Sequence, residues 1–187
     1  MLLFLSSYYL ASGETPDPRL QLWPLPLSYS FSDPMIPSYS KNFQFIGDGA
    51  GGQSSILKAA FRRYKDYNFD QGEATSEEGL QGLVVYVASN DETLNLDTDE
   101  SYTLSIDSTS TKTTAIVNAQ TVYGALRGME TFSQIIFFDG TQYYVPKTSI
   151  KDSPRFSHRG FMIDTARHFV EMDIILKFIV SDPLCFL

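Results

Sequence analysis

The sequence has little of several things, and each shortage excludes a class of protein. Cys185 is its single cysteine, so no disulfide forms within the chain and a disulfide-stapled scaffold is ruled out. With no histidine near it in sequence, that thiol reads as an ordinary residue rather than a nucleophile. Positive charge is short. Lys and Arg number 14 against 22 Asp and Glu, a net charge of −8. That is the reverse of the basic footprint a nucleic-acid-binding protein carries, so no nucleic acid is expected as a partner. No apolar run approaches the ~20 residues that a membrane span requires. There is no Asn-x-Ser/Thr sequon. The two histidines, His158 and His168, lack the helical spacing of metal ligands and have no evident third ligand, so neither metal nor cofactor is expected.

What is present is enough for a folded domain. Hydrophobic residues make up 43% of the 187 and aromatics 14%, a composition that buries a core. Met1 to Leu10, followed by Ala11-Ser12-Gly13, is a short apolar run before small residues. It predicts a weak secretion signal over residues 1–13, although the positive leading region is missing. Pro16 and Pro18 mark an exposed lead-in, and residues 1–21 are read as signal and lead-in together.

Trp23-Pro24-Leu25-Pro26 cannot be helix interior, because each proline removes a donor and restricts its neighbour; it predicts an extended edge segment. Phe43, Phe45 and Gly47 predict a short strand ending in a glycine-rich turn. Ser55 to Asn68 predicts a helix, with Ile56, Ala60 and Tyr64 at i, i+4, i+8 and Lys58, Arg62, Arg63 and Lys65 on the other face. Asp70 to Gly79 predicts a loop. Leu83 to Val87 is a near-continuous apolar run, the pattern of a strand buried on both faces. Tyr102, Leu104 and Ile106 alternate with polar residues, a strand with one wet side. Ala115 to Val117 predicts the next strand. Thr121 caps a second helix predicted to run to about Phe137, with Gly140 at its stop. Tyr143 to Ile150 predicts a further strand. The order implies an α+β layer, a sheet with helices on one face. A new unit starts after Pro154, with Phe161-Met162-Ile163 as a buried strand and Asp173 to Val180 as a helix.

Two stretches could carry chemistry. Gly47-Asp48-Gly49-Ala50-Gly51-Gly52 matches G-x-G-x-x-G, where a pyrophosphate could approach a helix N-terminus. The acid expected about 20 residues on would be Asp66 or Asp70, neither after a second buried strand. A plain turn into the helix is the competing reading. The second stretch, Pro154 to Phe169, packs Arg159, Asp164, Arg167 and both histidines around one apolar strand. Arginine's planar fork suits sugar hydroxyls or carboxylates, and an Asp at the C-terminal end of a parallel strand lies where α/β barrels keep their sites. A structural Arg–Asp pair is the alternative. In a regular strand, Arg159 and Asp164 would point to opposite faces.

Three segments resemble the eukaryotic, plant-like β-N-acetylhexosaminidases of glycoside hydrolase family 20. They are Leu22-Trp23-Pro24-Leu25-Pro26; Tyr102-Thr103-Leu104 with Thr121 to Gln134; and Pro154 to Phe169. The resemblance covers about Leu22 to Phe178. It implies an accessory α+β domain over 22–153 and the first βα unit of a (β/α)₈ barrel over 154–187. It also implies removal of terminal β-linked N-acetylhexosamines from glycans, with the substrate's own acetamido oxygen attacking and an adjacent Asp-Glu pair assisting. By resemblance, Arg159 binds sugar hydroxyls and Asp164, Arg167 and His168 support it. The same resemblance suggests a vacuolar, lysosomal or extracellular destination.

Only 24 residues follow Ile163, against about 250 for a whole barrel. No Asp-Glu pair follows Pro154; Asp91-Glu92 and Asp99-Glu100 read as solvated turn carboxylates. The expectation is a truncated chain, inactive alone, whose residues 155–187 do not dock stably. An interaction module that pairs with itself or with a full-length enzyme is the alternative, and a nucleotide-binding domain built on Gly47 to Gly52 is a further one.

Overall fold

The computed structural model describes residues 22–38, 43–70, 79–108, 113–160 and 162–181. The signal segment, the prolines of the lead-in, Phe161, Cys185 and most of the Asp70 to Gly79 loop lie outside them. The elements run β1 (Ser28–Ser38), β2 (Gln44–Asp48), α1 (Ser55–Asn68), β3 (Gly82–Val87), β4 (Tyr102–Ser108), β5 (Thr113–Ala119), α2 (Val122–Gln134), β6 (Phe137–Phe138), β7 (Tyr143–Asp152) and α3 (Met172–Ser181). The strands form one sheet in the order β1-β7-β4-β5-β3-β2, with β6 pairing on β7. β2, β3 and β5 are parallel neighbours, and β5, β4, β7 and β1 alternate in direction. This is the α+β layer that the element order predicts.

Helix α1 forms where the 3.6-residue pattern places it. Ser54 caps it, its hydroxyl accepting from the backbone N–H of Ile56 at 3.1 Å and of Leu57 at 3.3 Å, which satisfies two donors that a helix start leaves open. Leu57, Ala60 and Tyr64 are buried on the sheet. Thr121 caps α2 by accepting from Gly124 N at 3.2 Å. Val122, Ala125, Met129 and Phe132 point inward and join Leu83, Val85, Val87, Leu104, Ile106 and Val117 in one core. Burying each such side chain fully contributes on the order of 2 kcal/mol.

Three sequence expectations are corrected. β3 is buried on one face only: Leu83, Val85 and Val87 are fully buried, whereas Tyr86 is 40% exposed. Both helices cover the same side, so among the described residues no helix covers the opposite side of the sheet, and Tyr86, Thr103 and Asn118 share that face in cross-strand register. α2 ends at Gln134, with Ile135 as its cap, before the predicted Phe137. The apolar pattern continues past it because Phe137 and Phe138 turn to pair with β7. Gly140 is therefore no helix stop. It adopts φ +100° in the β6–β7 turn, where the Asp139 carboxylate accepts from Thr141 N and Gln142 N at 2.8 Å. Finally, Met162 and Ile163 form no strand, and Met162 is 90% exposed. Among the described residues no strand pairs with this segment, and a lone strand is not stable by itself. The predicted helix near Asp173 is present as α3.

Candidate functional site: a carboxylate shared by two arginines

The site is built by a close helix–strand contact. Gly124 and Gly128 lie one turn apart on α2, facing the sheet. A Cβ at Gly124 would stand 2.5 Å from the carbonyl oxygen of Ser101, and one at Gly128 would stand 2.6 Å from Val117 Cγ1. Glycine in a helix interior costs about 1 kcal/mol against alanine; here it permits an approach that no larger residue allows. The approach brings Arg127, between the two glycines, against the loop that leads into β4. Arg127 Nε donates to Glu100 Oε1 at 3.0 Å and its Nη2 at 2.5 Å.

Glu100 has a second partner from the segment after β7. Arg159 Nη2 donates to Glu100 Oε1 at 2.8 Å and to Oε2 at 2.7 Å, and Arg159 Nη1 donates to the carbonyl of Phe156. The side chains of Glu100, Arg127 and Arg159 are 12%, 16% and 25% exposed. Burial pushes the Glu100 carboxyl up, but the hydrogen bonds from Arg159 and Arg127 and their charges outweigh it and hold the group below its ordinary value. Beside the triad, Tyr102 Oη is 2.5 Å from Thr131 Oγ1 and donates to Asp152 at 3.3 Å; burial is the main cause of its raised phenol pKa. Asp152 also accepts from Leu27 N at 3.0 Å, tying the segment before β1 to the end of β7.

The predicted site residues therefore divide. Arg159 is drawn to Glu100 rather than to Asp164. Asp164 caps its own turn, accepting from Ala166 N at 2.9 Å and Arg167 N at 3.2 Å, and stands 3.4 Å from Arg167 Nε. Asp164, Arg167 and His168 are all exposed. Glu100 is a correction to the sequence reading. It is no solvated turn carboxylate, although its neighbour Asp99 is one, accepting from Ser101 N at 2.8 Å. Its partners are 27 and 59 residues away, a distance at which spacing rules are silent.

The glycine run has no room for a phosphate. A Cβ at Gly47 would stand 2.1 Å from Gly52 O and one at Gly51 2.2 Å from Ser89 O, and Gly49 has φ +80°. The amides that would cradle an anion are spent: Gly51 N donates to Val87 O at 3.0 Å, Gly52 N to Gly49 O at 3.1 Å and Gly49 N to the Asp48 carboxylate at 2.7 Å. That carboxylate would also repel a phosphate. β2 is moreover an edge strand, away from any switch in strand order. These glycines serve backbone crowding, and the nucleotide reading is set aside.

Comparison with known proteins gives the family and the fold. A family profile described as beta-acetyl hexosaminidase like matches residues 22–135. A second, the catalytic domain of glycosyl hydrolase family 20, matches residues 156–183. Beta-hexosaminidase 1 of Arabidopsis thaliana is 37% identical over 97% of this chain and 37% of its own length. The human beta-hexosaminidase subunit beta is 38% identical over 89% of this chain and 32% of its own. The chain thus spans about a third of the length of these curated relatives. Among solved structures, the chitobiase of Flavobacterium johnsoniae superposes with a TM-score of 0.70 at 24% identity, covering 90% of this chain and 26% of that one. An exo beta-N-acetylglucosaminidase from Vibrio harveyi, solved with N-acetylglucosamine, gives 0.62 at 20%, covering 91% and 25%. With an accessory sheet and the opening of a catalytic domain in one polypeptide, the chain belongs to the glycosyl hydrolase family 20 beta-hexosaminidases.

Proposed function

We propose that this chain supplies the accessory domain and the opening segment of the catalytic domain of a β-N-acetylhexosaminidase acting on glycans that end in β-linked N-acetylhexosamines. Arg159 contacts hydroxyls of the terminal sugar, and Asp164, Arg167 and His168 support the turn that follows it. The observation that carries the reading is the position of Arg159. It sits where the accessory domain meets the segment matched by the catalytic profile, partly exposed and with its fork fixed. Its guanidinium offers several directed donors, more than the shared carboxylate consumes. No general acid/base is assigned among these residues, because no Asp-Glu pair follows Pro154. The test is a titration of the isotope-labelled chain with N-acetylglucosamine. Backbone amide resonances of the residues around position 159 shift in the parent, and those shifts are lost in Arg159→Ala. An unchanged response in that variant would remove Arg159 from the reading.

A second reading is favoured by a specific observation. Met162, Phe169, Met172, Ile174 and Leu176 are all between 51% and 90% exposed, more apolar surface than a lone domain usually leaves uncovered. On this reading the chain pairs with another copy or with a full-length enzyme. Light scattering of the purified chain, alone and mixed with such an enzyme, separates the two: a monomer that forms no mixed species contradicts pairing. The leading residues 1–13 further suggest passage through the secretory pathway. Fusing them to a cytosolic reporter, and finding no export, would count against that.

A further inference from the structure

On the helix-free face of the sheet, the strand register lines up one row of side chains. Tyr86 of β3 stands opposite Asn118 of β5, Asn118 opposite Thr103 of β4, and Thr103 opposite Lys151 of β7. Cross-strand partners point to the same side of a sheet, and all four are exposed. Together they line an open cavity of about 440 Å³, within the range of small-ligand sites. Three steps of about 4.8 Å between strands make the row roughly 14 Å long, room for a short oligosaccharide. The polar groups in the row are unspent. Among the described residues, neither the Tyr86 hydroxyl nor the Lys151 ammonium has a hydrogen-bond partner. Asn118 makes one long contact, Nδ2 to Thr103 Oγ1 at 3.5 Å, which leaves the amide its acceptor and the hydroxyl its donor. Tyr86 is 40% exposed, and the edge of its ring lies over Gly49, where a Cβ would stand 3.0 Å from Cε2. The glycine run thus supports an aromatic ring beside the cavity.

We propose that this row is a sugar-binding site of the accessory domain, one that takes a neutral pyranose chain lying across the strands. The site is separate from Arg159 and does not depend on the reading of that residue. A pyranose ring presents C–H groups on its faces and hydroxyls around its rim. A tyrosine offers the faces a flat apolar surface with a polar tip. An amide, a hydroxyl and an ammonium spaced along the row offer the rim both donors and acceptors. Charge selects a neutral ligand. The chain carries −8, yet on this face Asp107 is paired with Lys147 at 3.5 Å, and Lys151 shares its row with Asp48, which stands opposite Tyr86. The face therefore lacks the basic excess that a polyanion requires.

The experiment titrates the isotope-labelled chain with tri-N-acetylchitotriose and follows its backbone amides. The expected result is a saturable shift of the amides at positions 86, 103, 118 and 151, unchanged in Arg159→Ala. Its midpoint rises about tenfold in Tyr86→Ala and about threefold in Asn118→Ala. Both side chains are exposed, so neither substitution opens a hole in the core, and Asn118→Ala carries the test if Tyr86→Ala fails to fold. No shift along the row, or a parental midpoint in the folded variants, overturns the proposal. Shifts of the same amides with protein concentration alone would assign the face to a second copy of the chain and overturn it as well. Shifts confined to the segment around Arg159 would remove this site and leave the reading of Arg159 standing; shifts confined to the row would uphold this site and remove that reading.

Discussion

Replacing Glu100 with alanine removes the group on which two cations converge. Four donor contacts between 2.5 and 3.0 Å end on this carboxylate. In a fully buried setting, breaking such an arrangement costs roughly 3–5 kcal/mol, because uncompensated charge is left behind. On an open surface an ion pair is worth about 0–1 kcal/mol. Side-chain exposures of 12–25% place the triad between these limits, and the two arginines left facing each other add repulsion. The expected loss is about 2–3 kcal/mol. For a domain of this size each kcal/mol lowers Tm by roughly 3–5 °C, so Glu100→Ala should melt about 8 °C below the parent. Thermal unfolding followed by circular dichroism, with Glu92→Ala as an exposed control expected to lie within about 0.5 kcal/mol of the parent, measures it. A Glu100→Ala curve that overlays the control would refute the claim that the triad is a strong junction.

The remaining predictions concern the same region. Gly124→Ala should cost about 2–3 kcal/mol, since its Cβ would stand 2.5 Å from a backbone oxygen, and the same melting experiment reads it. Because the Glu100 carboxyl is held below its ordinary value of 4.5, its contribution is complete above the unfolded value and disappears as pH falls through the folded one. The Tm gap between the parent and Glu100→Gln should therefore be widest above the ordinary value of 4.5 and should narrow as pH falls below it; a gap independent of pH would contradict this. The groups facing Glu100 there are Arg127 and Arg159, which stay charged throughout. Limited proteolysis should cut between Met162 and Lys177, where the described side chains are almost all exposed, well before any cut within β3, β4 or β5; a tail that outlasts the sheet would show that it docks.

Much of the fold is legible from side-chain period. β4 shows its wet and dry faces in the alternation of Tyr102, Leu104 and Ile106 with Thr103, Ser105 and Asp107, and α1 follows Leu57, Ala60 and Tyr64. Where the reading fails, a competing rule gave the same local pattern. An apolar run such as Leu83 to Val87 fits a strand covered on both sides, and only the placement of both helices on one side leaves Tyr86 in the open. Phe137 and Phe138 extend the helical pattern of α2 because the residues that pair with β7 are also apolar. Met162 and Ile163 carry strand propensity but pair with no strand among the described residues. At the site, Arg159 stands out in the sequence as one of several strong polar groups in a short stretch. Glu100 does not, because its role depends on an arginine brought near by two helical glycines and on another from beyond the end of the sheet. Gly124 and Gly128, four residues apart within a predicted helix, are the one local sign that something packs closely there.

The central proposal is that this chain supplies part of the sugar-contacting surface of a β-N-acetylhexosaminidase, with no Asp-Glu pair among residues 155–187 to act as acid/base. It is tested most directly by assaying the purified chain against a chromogenic N-acetyl-β-glucosaminide, beside a full-length relative. The account predicts turnover by the relative and none by the chain above buffer. Turnover by the chain that persists through purification and is abolished by substituting one of its own carboxylates would contradict it.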